Sequence, residues 1–280
     1  MPYQEFHVMR SGERLLTYLK KELGEAWSTR QLKWLIEHNR CRLNGFMERF
    51  CSIRLKRGDV IAIALEKMEK EQAQERVLYE DEHLLFYNKP PFCTSEQLGK
   101  ELGYHLVHRL DRDTSGVMVL VKQPQLLEKL EALFASGDVQ KRYLAWVTPP
   151  PKLSKGRIEL ALIKKVLHDG ASIVVPDARG KEAVTEWKVM KRRGKQALLS
   201  VFPKTGRTHQ IRAHLKALGS PIVGDMIYGG RLQQHRRPLL HAELLTFELE
   251  GKRYQVQAPV PEDFSLDVKQ TQQSATVISS

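Results

Sequence analysis

From Glu13 onward the apolar residues Leu15, Leu16, Leu19 and Leu23 recur at helical spacing, and Gly24 follows as a stop. The spacing predicts one short helix. Ser28 or Thr29 caps a second, with a buried stripe of Leu32, Leu35 and Ile36 and an outer face carrying Arg30 and Lys33. Cys41-Arg42-Leu43 then reads as a strand and Asn44-Gly45 as a tight turn. Ile61, Ile63 and Leu65 alternate after the turn at Gly58-Asp59, as a half-buried strand does. Residues 1–65 are thus expected to form a compact two-helix unit with a small sheet. Residues 66–76 are almost wholly charged or polar, with no apolar face, and read as a linker.

A second domain is expected over 77–264. Leu84 to Asn88 is strand-like and Lys89-Pro90-Pro91 ends it. The stretch 91–107 carries no clear element. Leu126, Leu127, Leu130, Leu133 and Phe134 form a helical stripe ended by Gly137. Strands dominate after that: 142–147, 157–162, 171–175, 184–190, 197–202, 244–249 and 253–256. A single helix, from Thr208 to Leu218 and stopped by Gly219, interrupts them. This order predicts an α+β fold, a mostly antiparallel sheet with helices around it. Residues 265–280 lack a core pattern and are expected to be a disordered tail.

Charge narrows the partner. Lys and Arg total 45 against 33 Asp and Glu, a net charge of +12, which favours a polyanion and nucleic acid first. Three cysteines, Cys41, Cys51 and Cys93, are too few and too oddly spaced for a disulfide framework or a four-ligand zinc site. No apolar run is long enough to cross a bilayer, and the first residues do not begin a signal peptide. A reduced, cytoplasmic protein, without membrane attachment and monomeric, is expected.

The candidate chemistry centres on Val107 to Gly116, where Asp111 lies between Arg109 and Arg112 just before the apolar run Val117 to Val121. Cations so close favour the charged carboxylate, which can act as a nucleophile. The alternative is an ordinary loop Asp making turn hydrogen bonds or a surface ion pair. Between Trp187 and Gly224 there are nine Lys or Arg and no acid. Within it, Thr205 to Leu215 runs from a glycine turn into a helix start and includes Arg207, His209 and Arg212, a setting that suits phosphate. His209 and His214 are five apart with no acidic or thiol neighbour, so no metal site is expected. His105 and His108 are read as structural or RNA-facing. Tyr143, at the start of a strand, is a core residue, an exposed ring or a base-stacking platform.

Two resemblances add to this reading. Glu13 to Leu19, Ser28 to Leu32, Leu35-Ile36, Arg42 to Gly45 and Leu55 to Ile61 resemble the alpha-L RNA-binding module, shared by a small-subunit ribosomal protein of the S-four type and several RNA-modifying enzymes. The resemblance implies that Arg30, Lys33 and Arg42 contact RNA phosphates. The second half resembles the RluA-type pseudouridine synthases, which isomerise uridine in structured RNA. The matching motifs are Asn88-Lys89-Pro90, His108-Arg109-Leu110-Asp111 with Thr114-Ser115-Gly116, Lys141 to Val147, Thr205 to Arg212, Pro221 to Asp225 with Tyr228-Gly229, and Leu240-His241-Ala242.

That resemblance implies that Asp111 is the essential carboxylate and that Arg207 pairs with it. Arg109 fills the space left by the flipped nucleotide, Tyr143 stacks on the uracil and Ile211 forms an apolar wall. His108, Arg112, His209 and Arg212 are expected to face the RNA. No cofactor is expected, because the reaction is an isomerisation without net redox, hydrolysis or group transfer. The implied substrate is ribosomal RNA, that of the large subunit first, with transfer RNA second. The competing readings are a non-catalytic RNA-binding or ribosome-assembly factor and a nuclease or nucleoside hydrolase. The segment between Pro90 and His108 is shorter than is usual in the family, where it often opens with a His-Pro-Gly-like turn.

Overall fold

A computed structural model describes residues 3–37, 40–65, 75–166, 172–229 and 237–264. The expected tail at 265–280 and most of the expected linker lie outside the described residues. The chain divides into two units, Met1–Glu75 and Arg76–Ser280.

In the first unit, elements follow as β1 (Gln4–His7), α1 (Leu15–Leu23), α2 (Thr29–Glu37), β2 (Cys41–Leu43), β3 (Phe46–Met47) and β4 (Val60–Ile63). Ser28 starts α2 with a reciprocal cap. Its Oγ accepts from the Gln31 N–H at 3.2 Å, and Gln31 Oε1 accepts from the Ser28 N–H at 2.8 Å. Leu15, Leu19, Leu32, Leu35 and Ile36 bury against Ile61 and Ile63 of the sheet. The sheet order is β1-β4-β2-β3. The pattern does not predict β1, because its residues are mostly polar and exposed; pairing with β4, the packing of Phe6 on the core and a bond from the Tyr18 hydroxyl to the His7 carbonyl hold it.

The second unit contains β5 (Val77–Glu80), β6 (Leu84–Lys89), α3 (Ser95–Leu102), β7 (His105–Leu106), β8 (Ser115–Val121), α4 (Leu127–Ser136) and β9 (Gln140–Val147). There follow β10 (Lys155–Glu159), β11 (Leu162–Val166), β12 (Ser172–Pro176), β13 (Val184–Arg193), β14 (Gln196–Pro203), α5 (Gln210–Ala217), β15 (Leu240–Leu249) and β16 (Lys252–Gln257). Among the described residues, ten strands form one sheet, ordered β10-β13-β14-β9-β15-β8-β6-β5, with β16 beside β15 and β7 beside β8. β11 and β12 form a separate hairpin. The fold is α+β with a mostly antiparallel sheet.

The exception to antiparallel pairing sits where the site is. β8 and β15 run parallel, with Ser115 opposite His241 and Gly116 opposite Ala242. Gly116 makes this possible: its φ is +120°, and a Cβ there would stand 2.1 Å from the Ala242 carbonyl oxygen. All seven residues of β8 are buried, as expected of a strand covered on both faces.

The stretch 91–107, to which the pattern assigns no element, contains helix α3. Thr94 caps it by accepting the Gln97 N–H at 3.1 Å, and Gly103, at φ +76°, ends it. Its interior glycine hid it from the pattern. Gly99 is there because a Cβ would lie 3.1 Å from Leu106 Cγ, so the helix packs closely on β7.

Candidate active site

Asp111 sits in the loop that joins α3 and β7 to β8, and three contacts fix that loop. The Leu110 N–H donates to Ser95 Oγ at 2.9 Å, and the same hydroxyl donates to the Leu110 carbonyl at 3.1 Å. The Thr114 N–H closes a turn on the Asp111 carbonyl at 3.0 Å. Beneath it lies Lys89, at the end of β6 and fully buried. Its Nζ donates to the carbonyls of Pro90 (2.9 Å), Cys93 (2.7 Å) and Arg112 (3.1 Å), which ties two loops together. Burial lowers its pKa to about 8.

The partner of Asp111 is Arg212, on α5. Arg212 Nη1 donates to Asp111 Oδ2 at 3.3 Å. Its other edge grips Asp225, Nε to Oδ2 at 2.7 Å and Nη2 to Oδ1 at 2.9 Å, a bidentate pair. Asp225 is itself oriented by the N–H groups of Ile227 and Tyr228, both at 3.1 Å. The guanidinium also lies 5.0 Å from the Tyr228 ring centroid. Burial opposes the charge on Arg212, but the bonds and charge of Asp225, and then the charge of Asp111, raise its pKa above the ordinary value. The Asp111 side chain is 24% exposed against 5% for Arg212, so the carboxylate is presented while its partner is sealed.

His209 stands second to Asp111, its Nε2 3.9 Å from Oδ2. Its Nδ1 meets the Tyr228 hydroxyl at 3.1 Å, and that hydroxyl accepts the Val174 N–H at 3.0 Å. His209 adopts φ +51°, an unusual left-handed conformation, at the start of α5. Burial lowers its pKa, against the pull of Asp111, which favours the neutral ring.

A cleft of about 750 Å³ opens over Asp111. Its wall includes His108, Arg109, Tyr143, Arg207, Ile211 and Leu240, so the residues expected at the site share one cavity. Several expected roles change. Arg207 does not pair with Asp111: it is exposed, and its Nε donates to the Glu182 carbonyl at 3.0 Å. The reason is its position in the turn before α5, whereas Arg212 lies within the helix on its buried side. Arg212, expected to face RNA, is buried and engaged by two carboxylates. His108 is no cation for RNA either. Its Nε2 accepts the Val119 N–H at 3.0 Å, its ring stacks on Phe134 at 4.6 Å, and burial pushes its pKa down to about 3. Arg109 and Arg112 are exposed, paired with Glu96 (3.2 Å) and Asp113 (2.8 Å).

In the first unit, Arg42 is exposed and its guanidinium lies 5.0 Å from the Tyr3 ring centroid. Lys33 is exposed and 4.0 Å from Glu37. The side chain of Arg30 lies outside the described residues.

Sequence reasoning missed the roles of Lys89 and Asp225. A lysine closing a strand that opens on the apolar run Leu84 to Tyr87 was the available signal for the first. For the second there was none locally, since Asp225 reads as one more turn aspartate.

The arrangement offers one presented carboxylate, a sealed counter-cation, an aromatic ring and an apolar wall, all under a cation-bearing rim. With the ten-stranded mixed sheet beneath it, this defines the class of pseudouridine synthases. Residues 83–217 match the family described as RNA pseudouridylate synthase. An uncharacterised RNA pseudouridine synthase of Zymomonas mobilis is 39% identical over 163 residues, covering 57% of this chain and 74% of that protein. The ribosomal large subunit pseudouridine synthase C of Vibrio vulnificus is 32% identical over 274 residues, with 85% of each covered. Among solved structures, human RNA pseudouridylate synthase domain containing 1 superposes with a TM-score of 0.61 at 27% identity, covering 71% of this chain and 89% of that one. The chain belongs to the RluA-type pseudouridine synthases and is an isomerase acting on RNA. Among the described residues, no helix is long and apolar enough to cross a membrane.

Proposed function

We propose that this enzyme isomerises specific uridines of large-subunit ribosomal RNA, with Asp111 as the essential carboxylate. The observation that carries the second part is the 3.3 Å contact from buried Arg212 to a carboxylate that stays open to the cleft. In the reaction the C1′–N1 bond breaks and a C1′–C5 bond forms, while C5 loses a proton and N1 gains one. Asp111 assists the detachment and re-attachment of the base. Tyr143 stacks on the uracil, Ile211 walls its other side, and Arg109 and Arg207 act on the displaced strand from the rim. The ribosomal assignment is supported by relatives named for the large subunit at 31–34% identity and by the net charge of +12. The first unit adds a basic RNA-contacting face with Lys33 and Arg42, in the manner of an alpha-L module.

The test is to map pseudouridines across total RNA from cells with and without the protein, and after complementation with Asp111→Asn. Large-subunit positions are expected to vanish without the protein and to return only with the wild type. Restoration by Asp111→Asn would remove Asp111 from its role. Loss confined to transfer RNA would overturn the ribosomal assignment.

A further inference from the structure

Lys141, the second residue of β9, lies on the same face as Tyr143, two residues away, and both line the cleft. Its ammonium lies 5.9 Å from the Phe134 ring centroid. The ring of His108 is stacked on that same Phe134, and it is neutral because its Nε2 accepts the Val119 N–H. The other cations of this wall have protein partners: Arg109 has Glu96, Arg112 has Asp113, Lys204 has Glu186, Arg212 has Asp225 and Asp111, and Arg207 has the Glu182 carbonyl. Lys164 is exposed to water. Lys141 alone among them is half-buried without an acidic partner among the described residues. Burial accordingly lowers its pKa.

A cation held out of water without a counter-charge is costly, so the site is complete only when a ligand brings an anion. We propose that Lys141 binds the backbone phosphate next to the uridine whose base stacks on Tyr143. This rests on the reading of the cleft as the uridine site. Two residues of strand span about 7 Å, a separation that a nucleotide's own phosphate and base bridge. Phe134, 5.9 Å from the ammonium at its ring centroid, lines the same cleft. Arginine preserves the charge, whereas glutamine and methionine remove it.

The experiment uses full-length Lys141→Gln, Lys141→Met and Lys141→Arg, with Lys195→Gln, an exposed residue off the cleft, as a control for net charge. Large-subunit ribosomal RNA from cells lacking the protein is the probe. Filter binding and turnover are measured over a series of salt concentrations. Gln and Met are expected to raise Kd and KM about tenfold, and to reduce the slope of log affinity against log salt by about 0.7 to 0.9, one phosphate's worth. Arg is expected to restore most of both. Unchanged affinity and slope in Gln and Met, or an equal change in Lys195→Gln, would overturn the proposal. A wild type that binds the RNA but forms no pseudouridine would instead defeat the uridine-site reading, and the binding slopes would still report on Lys141.

Discussion

Arg212 holds Asp111 at 3.3 Å with one nitrogen and Asp225 at 2.7 and 2.9 Å with two others, so the presented carboxylate is positioned through a buried one. Removing the buried anchor leaves the interior guanidinium with only the longer contact to the part-exposed Asp111 for a counter-charge. Asp225→Ala is therefore expected to destabilise the protein by about 3–5 kcal/mol. In the fraction that folds, turnover should drop at least about 100-fold as Asp111 loses its placement. Urea unfolding and single-turnover assays check the two effects separately, and a stable, fully active variant would contradict the anchoring role.

Arg207 and Arg212 lie five residues apart but do different work. Arg212→Ala is expected to abolish turnover while shifting RNA affinity little, because its guanidinium faces carboxylates. Arg207→Ala, an exposed rim cation, should act mainly on KM and soften the salt dependence of binding. Steady-state kinetics at two salt concentrations distinguishes them. The reverse pattern would restore Arg207 as the partner of Asp111.

Gly116 permits the parallel contact on which the loop of Asp111 depends. Gly116→Ala brings a methyl to 2.1 Å from the Ala242 carbonyl oxygen at a φ of +120°. The expected cost exceeds about 3 kcal/mol, from strain and clash together. A thermal melt within a few degrees of wild type would show that the β8–β15 contact yields more easily than its geometry indicates.

Two buried histidines set an acid limit. Burial holds His241 and His108 at a pKa of about 3, so both are neutral in the folded protein near pH 7. The unfolded chain takes up those protons below about pH 6.5, its ordinary histidine value. Stability is thus complete above that pH and falls as the pH drops from about 6.5 towards 3, by up to about 1.4 kcal/mol per unit for each histidine. Urea unfolding at pH 7, 6 and 5 measures the slope, and His241→Asn should reduce it by about one proton.

Dense periodicity made α1, α2 and α4 legible, and alternation revealed most strands of the large sheet. Motifs in order located Asp111, Tyr143 and the run from Thr205 to Arg212. Helix α3 and the short strands β1 and β7 were not legible, since each is polar or brief and takes its stability from tertiary neighbours. The sequence by itself determined which side chains could carry chemistry and that they belong with a polyanion, because residue type, local period and net charge are properties of the chain. Only the tertiary structure decided that Asp111 meets Arg212 rather than Arg207, that Lys89 clamps its loop, and that Lys141 has no acidic partner among the described residues. Those are matters of distance between residues up to 101 positions apart, and no local pattern encodes which of two nearby arginines a helix turns inward.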